Sequence, residues 1–532
     1  MASQSLDRML ASSSSARDDR TEQTRFAAQS GSPTPTIAIL GAGASGLAMA
    51  IRLLERGITT FTIYEKSDGV GGTWRDNTYP GAACDVPSHL YSLSFAPKND
   101  WTRRFPEQAE ILSYFESLVP RFGLGPYLRT NTEVTSLRWD DTSGRWEGTL
   151  RSIGIESASD DDAAPIDETF TADVVVSGLG QLNQPYVPII EGLEQFSGTW
   201  FHSARWNHEH SLKGERVAVI GIGASAIQFV PQVAREARSM TLFQRSVNYV
   251  IPKPDRGFRP WERWILANSR FVEKLYRESI YWRFESRFSM MRKGSRLGEL
   301  VKSGFAKRVG QLSSDRLPRE ALVPDYSPGC RRILIANDWY PTLRMDSVSV
   351  VTDRVERVTP SGVVADGVEY PADTIIFGTG FRSTDFLTPV EVTGRDGLAL
   401  NKVWADGACA LLGLSVPEFP NFFMLYGPNT NLGHNSILFM VEQQVNYILG
   451  LIDMMVLDGV GAVEPTHAAM DAFDDEIQSA TMRTVWDDDC ASWYKNEAGR
   501  ITNNWPDYTV NYRRRLRSVD PSEWNLTARV GE

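Results

Sequence analysis

The chain has 532 residues, 42% hydrophobic and 11% aromatic, which exceeds one ordinary domain and supplies a large core. A net charge of −11 argues against nucleic acid as the main partner. Cys84, Cys330, Cys409 and Cys490 lie far apart, with no CxxC pair and no metal-ligand spacing. Neither a disulfide framework nor a metal site is therefore expected, and a cytoplasmic location suits the thiols. No uninterrupted apolar run approaches about 18 residues, so no membrane span is expected. The longest candidate, around Tyr447 to Val463, is broken by Asp453 and Asp458.

Residues 1–33 are rich in Ser, Ala, Arg and Asp and lack an apolar h-region. Asp7, Asp18, Asp19 and Glu22 also count against a transit peptide, so a solvated, poorly ordered tail is expected. A buried strand, Thr36 to Leu40, then runs into Gly41-Ala42-Gly43-Ala44-Ser45-Gly46. A helical pattern follows (Leu47, Ala50, Ile51, Leu54) and stops at Gly57; a second strand, Thr60 to Tyr64, delivers Glu65. A dinucleotide explains each part. The first glycine permits the tight turn, the second lets backbone approach the pyrophosphate, and the third lets helix pack on strand. The helix N-terminus offers free N–H groups to the phosphates, and the acid accepts from a ribose diol.

Beyond Glu65, Gly71-Gly72-Thr73-Trp74 and Tyr79-Pro80-Gly81 lead to Asp85. The plain reading is an irregular loop with a β-turn; the sharper one is backbone lying under a flat ring, with Asp85 aimed at it. A helix is expected near Gln108 to Val119, then a hairpin from Glu133 to Arg151 turning at Asp140 to Gly144. Ser157 to Asp162 reads as an exposed acidic loop. Asp173 to Gly178 reads as a strand returning to the first sheet, followed by Leu179-Gly180-Gln181 and a proline-punctuated linker.

The pattern then repeats. Val217 to Ile220 leads into Gly221-Ile222-Gly223-Ala224-Ser225-Ala226, a helix runs to about Ala237, and a strand follows from Met240 to Gln244. At the offset that Glu65 holds in the first unit stands Arg245, followed by Ser246. A carboxylate suits a free 2′-hydroxyl and an arginine suits a 2′-phosphate, so the first unit is expected to hold FAD and the second NADPH. Two nucleotides meeting in one chain point to hydride transfer.

Before the second unit, Phe196, Gly198, His202 and Trp206 are spaced FxGxxxHxxxW. Read alone, they are an interdomain linker in which His202 is structural. Between two Rossmann motifs, this spacing resembles the fingerprint of type I Baeyer–Villiger monooxygenases, across roughly residues 35–515. That family usually has Pro or Asp after the tryptophan, whereas this chain has Asn207. The resemblance implies an α/β fold with two Rossmann-like domains and a helical insertion in the second. The FAD-binding domain would comprise 34–178 and 384–532, the NADP-binding domain 179–254 and 325–383, and the insertion 255–324. From Arg256 to Arg308, fourteen Lys/Arg stand against five Asp/Glu, with ten aromatic residues interleaved. A basic aromatic helix can lie on a membrane or bind anionic partners. The expectation here is that the aromatics pack on the body and the charges are solvated.

The resemblance also assigns roles. Arg331 is implied as a second basic residue for the 2′-phosphate, and Arg332 as the active-site arginine over the flavin, held and tuned by Asp85. Asp373 to Phe381 is similar to the segment linking the nucleotide domains. The loop Tyr426 to Ser436, with the helix from Ile437, is implied to contact flavin and line the ketone pocket through Leu432, Gly433, His434 and Ile437. Ser492-Trp493-Tyr494-Lys495 is similar to a mobile stretch whose tryptophan closes over NADP. The implied activity is conversion of ketones to esters or lactones by oxygen and NADPH through a flavin peroxide, whose anion a fixed cation would stabilise. Alternatives are an N- or S-oxygenating flavin monooxygenase, a disulfide reductase (which needs a cysteine pair) and a non-catalytic NADPH/FAD-binding protein. The oligomeric state is left open between monomer and dimer.

Overall fold

A computed structural model of the chain describes residues 19–31, 33–153, 168–488, 490, 494–496 and 498–529. The acidic loop expected at 157–162 lies outside them. Two five-stranded parallel sheets dominate the fold. In the first, Ile37–Leu40 is central, flanked by Phe61–Tyr64 and Val174–Ser177, with Ile37 level with both Phe61 and Val174. Phe422–Met424 and Leu128–Arg129 close its edges. In the second, the order is Val348–Val351, Ser239–Phe243, Arg216–Ile220, Thr374–Phe377, Thr199–His202. The central strands are buried along their length because helices cover one face of each sheet and a small antiparallel sheet covers the other, which is why they read as unbroken apolar runs rather than alternating ones.

Each sheet sends its central strand into a glycine turn and a helix, Ala44–Glu55 in the first and Ala226–Glu236 in the second. Both turns therefore open at the carboxyl ends of parallel strands, where open α/β sheets bind ligands. The hairpin Thr132–Asp140 with Arg145–Ser152 and the helix Gln108–Phe122 decorate the first sheet. The helix Ile437–Leu457 packs against Ala44–Glu55. Two crossovers joining the sheets run side by side: Tyr186 N–H donates to Gly380 O (2.9 Å) and Arg382 N–H to Gln184 O (2.9 Å).

Three expectations need correction. Residues 19–29 are helical rather than a solvated tail. Ala27 and Ala28 pack on the first core, and Thr24 is fully buried, its hydroxyl donating to Asp453 (2.9 Å). Arg20 pairs with Asp458 (2.7 Å). The two aspartates that interrupt the apolar run of the long helix are what receive this segment.

The aromatics of the insertion are divided. Its helices are Pro260–Asn268, Arg270–Glu285 and Arg296–Gly310. Tyr281, Phe284 and Phe288 are buried, but Trp261, Trp264, Phe271 and Trp282 are exposed. Finally, Cys330 and Cys490, 160 residues apart in sequence, form a disulfide with their Cα atoms 6.4 Å apart. Both pack in a cluster with Phe288, Met291 and Trp486 that brings the distant segments together. Among the described residues no helix is long and apolar enough to cross a membrane, and no acidic, His or Cys cluster is suited to a metal ion.

Asp453 also accepts from the buried Arg56 (3.1 Å). Asp453→Ala strands that guanidinium and should cost about 3–5 kcal/mol, whereas Arg56→Met with Asp453→Leu should recover most of the loss. Thr24→Ala should cost about 1 kcal/mol. Denaturant titration of the three variants checks the ranking.

Candidate functional site

A cavity of ≈ 1120 Å³ runs between the glycine turns of the two sheets. On the first side Gly41 has φ +90°, and a Cβ on Gly46 would stand 1.9 Å from Gly41 O, so neither tolerates a side chain. Gly43 caps the helix Ala44–Glu55 and approaches Gly72, where a Cβ would come within 3.1 Å of Gly43 Cα. Gly41, Gly43 and Gly72 line the cavity; Gly46 lies behind them. Buried Glu65 also faces it, oriented because Oε2 accepts Ala42 N–H (2.7 Å) and Oε1 accepts Ser67 N–H (2.8 Å). Thr73 and Trp74 start the short helix Thr73–Asp76, and the Trp74 indole donates to Tyr91 (2.9 Å).

Tyr79 reaches across the seam, its hydroxyl donating to Gln228 on the helix of the second unit (2.9 Å). Burial pushes its phenol up to about 12. Gln181 donates to Tyr426 O (3.0 Å), while its own Oε1 is buried with no protein donor. An orphan acceptor facing this cavity, beside a backbone cradle that no Cβ could enter, fits a bound nucleotide.

On the second side Gly221 (φ +99°) passes so close to Gly378 O that a Cβ would stand 2.6 Å from it. Gly223 and Ser225 line the cavity, and Ser225 caps the helix Ala226–Glu236. Arg245 is exposed at the mouth; beside it the Arg331 guanidinium donates to Ser246 and lies over the Tyr326 ring (5.0 Å). Arg354, which the sequence did not single out, lines the same end. It follows the strand Val348–Val351, and only the parallel pairing with Ser239–Phe243 brings it near Arg245.

Where the two sides meet, Arg332 Nη2 lies 2.6 Å from Asp85 Oδ2, both half-buried and both lining the cavity. The adjacent carboxylate raises the guanidinium pKa more than burial lowers it. Tyr426 and Tyr494 face the same cation, and burial raises both phenols, Tyr494 to about 12. Lys253 and Arg287 lie within electrostatic reach of Asp85; burial lowers both, and Asp85 opposes it. Neither carries any local motif that would have marked it.

Leu432 and Ile437 line the cavity, but Gly433 and His434 do not, which corrects the expectation for those two. His434 is sealed behind the wall, its Nε2 3.6 Å from Glu285 and its ring 5.2 Å from that of Phe288. A Cβ on Gly433 would come within 3.2 Å of Met291.

None of Phe196, Gly198, His202 and Trp206 reaches the cavity either. A Cβ on Gly198 would collide with Asp373 O (2.1 Å), His202 Nδ1 accepts Ala204 N–H (3.1 Å), and Trp206 packs on Phe201 and Phe229. Burial lowers the His202 pKa to about 4, so its ring is neutral at pH 7. Together they seat the edge strand Thr199–His202 and, through the contact of His202 with Phe381 (5.9 Å), one crossover. The disulfide cysteines also lie outside the cavity, so the pairing does not restore a reductase-like dithiol site. Trp493 lies outside the described residues.

Residues 34–390 match the family model described as flavin-binding monooxygenase-like. A Streptomyces coelicolor protein named Baeyer-Villiger monooxygenase is 42% identical over 493 residues, covering 92% of each chain. A Pseudomonas aeruginosa protein of the same name is 39% identical, covering 94% of each. Among solved structures, OTEMO in complex with FAD and NADP superposes with a TM-score of 0.82 at 26% identity, covering 93% of this chain and 100% of that one.

Gly46→Ala tests the cradle. Its Cβ would force the helix off the strand, so the purified variant should lose at least about tenfold in retained FAD, read by absorbance and by analysis of the released nucleotide.

Proposed function

The chain belongs to the flavin-binding monooxygenase-like family, with the Baeyer–Villiger monooxygenases as its near relatives, and from that membership we propose that it converts ketones to esters or lactones with FAD, NADPH and oxygen. The observation that carries the reading is the Arg332–Asp85 pair, set between two nucleotide cradles. Bound FAD, reduced by NADPH, would supply the activation of oxygen.

The residues supply the rest. Gly41, Gly43, Gly72, Glu65 and Gln181 would hold FAD; Gly221, Gly223, Ser225, Arg245, Ser246 and Arg331 would hold NADPH. Attack on a ketone carbonyl places negative charge on its oxygen, and a fixed cation in a site sheltered from water stabilises that charge. Arg332 is that cation. Asp85 fixes the direction of the guanidinium and offsets the cost of burying its charge. Asp85 is therefore a positioning residue for Arg332. Leu432, Ile437, Leu438 and Val441 give this part of the cavity an apolar wall against which a ketone's hydrocarbon can rest. Dependence on NADPH accords with a cytoplasmic enzyme.

Arg245→Ala should raise KM for NADPH about ten- to a hundredfold, the equivalent of about 1.5–3 kcal/mol, and leave NADH use nearly unchanged. Steady-state kinetics with both cofactors decide it; equal weakening toward each would reduce Arg245 to a structural role. Arg332→Ala should still bind FAD and oxidise NADPH, yet release hydrogen peroxide and form almost no ester. Asp85→Ala should behave alike but less severely. Parallel assays of NADPH, peroxide and ester read the uncoupling, and ester formation near the parental rate in Arg332→Ala would remove the arginine from the mechanism.

A further inference from the structure

The exposed aromatics of the insertion lie on two packed helices, Pro260–Asn268 and Arg270–Glu285. On the second, Phe271, Leu275 and Trp282 recur at helical spacing along one face, while Glu273, Ile280, Tyr281 and Phe284 are buried on the opposite face. Trp261 and Trp264 stand out from the first. These five side chains are 54–72% exposed. Exposed Arg263, Arg270, Lys274 and Arg283 are interleaved with them, against one exposed acid on the two helices, Glu278. Large apolar side chains exposed along one helix face, rimmed by charge, mark an interaction surface.

The occupant follows from charge. The stretch 256–308 is basic within a chain of net charge −11. Packing this face against the same face of a second copy would bring two basic surfaces together. Among the described residues, the other exposed large apolar pair on one helix, Leu297 and Leu300 of Arg296–Gly310, lies in the same basic stretch, and others, such as Ile153, Val368 and Leu526, come from separate elements, so packing elsewhere on a second copy meets no patch of matching charge. Trp and Phe flanked by Arg and Lys match the boundary of a bilayer with anionic headgroups, where rings enter the interface and cations meet phosphate. We propose that this face docks on an anionic lipid surface, with the protein lying on the membrane and not spanning it.

Docking would also set the catalytic cavity close to the lipid. The buried face of the same helix bears on the cavity wall: the Tyr281 ring lies 5.0 Å from that of Phe439, next to Ile437 and Leu438, and Glu285 accepts from Asn435 (2.8 Å). One helix thickness of roughly 10 Å separates the wall from the exposed rings. The proposal does not depend on the reaction assigned above.

The test is co-sedimentation of the full-length holoenzyme with vesicles of phosphatidylcholine alone or mixed with phosphatidylglycerol, at low and high salt. Pelleting is expected only with the anionic vesicles and should weaken as salt rises. Phe271→Ser with Trp282→Ser should lower partitioning at least about tenfold. Arg270→Glu with Lys274→Glu should lower it by about fivefold or more for each residue reversed. FAD content should be unchanged in both double variants, which shows that they fold. Absence of binding to anionic vesicles at low salt overturns the proposal. So does binding that is indifferent to lipid charge and to both variants, or a dimer in solution that Phe271→Ser with Trp282→Ser dissolves.

Discussion

A guanidinium keeps its charge unaided, but it acts on one point of a cavity only while a partner holds it there, and Asp85 is that partner for Arg332. Asp85 comes from the loop that follows the first nucleotide turn, and Arg332 from the return into the second sheet, so their 2.6 Å contact exists only when both units are assembled. Much else in the molecule serves that meeting. Tyr79 bonds to Gln228 across the same seam, and Trp486 donates to Gly329 O just ahead of Arg331 and Arg332 (3.0 Å). The Cys330–Cys490 link fixes the residue beside them. The cation is thus held from three directions, by an ion pair, a buried hydrogen bond and a covalent tie.

The parts of this arrangement legible in the sequence are those whose cause is local. Gly41, Gly43 and Gly46 mark a turn because backbone must pass backbone there, and the collision a Cβ on Gly46 would make with Gly41 O is the physical content of the motif. The central strands were readable because burial on both faces demands an apolar run. The contrast between Glu65 and Arg245 was readable because each sits at the end of the second strand of its unit.

What escaped has nonlocal causes. Nothing near Cys330 announces Cys490, and nothing near Thr24 announces Asp453; each pair is made by packing of segments far apart in the chain. His434 and Gly433 share the loop that carries Leu432, yet the chain turns between them, leaving one side in the cavity and the other against Met291 and Phe288. The fingerprint from Phe196 to Trp206 forms and seats the edge strand of the second sheet, away from the cavity, so as a sequence signature it marks how the two units are joined.

That junction has a mechanical consequence. The crossovers at Gln184–Tyr186 and Gly380–Arg382 are hydrogen-bonded to each other, so the sheets are joined by a two-stranded ribbon and not by two independent threads. A ribbon flexes readily out of its plane but resists sliding of one strand along the other, since sliding breaks its bonds together. The ribbon itself therefore favours opening and closing over sliding, like covers on a spine, within what the ties across the seam allow. Such a joint can vary the width of the gap between the nucleotide cradles while leaving their lengthwise alignment unchanged.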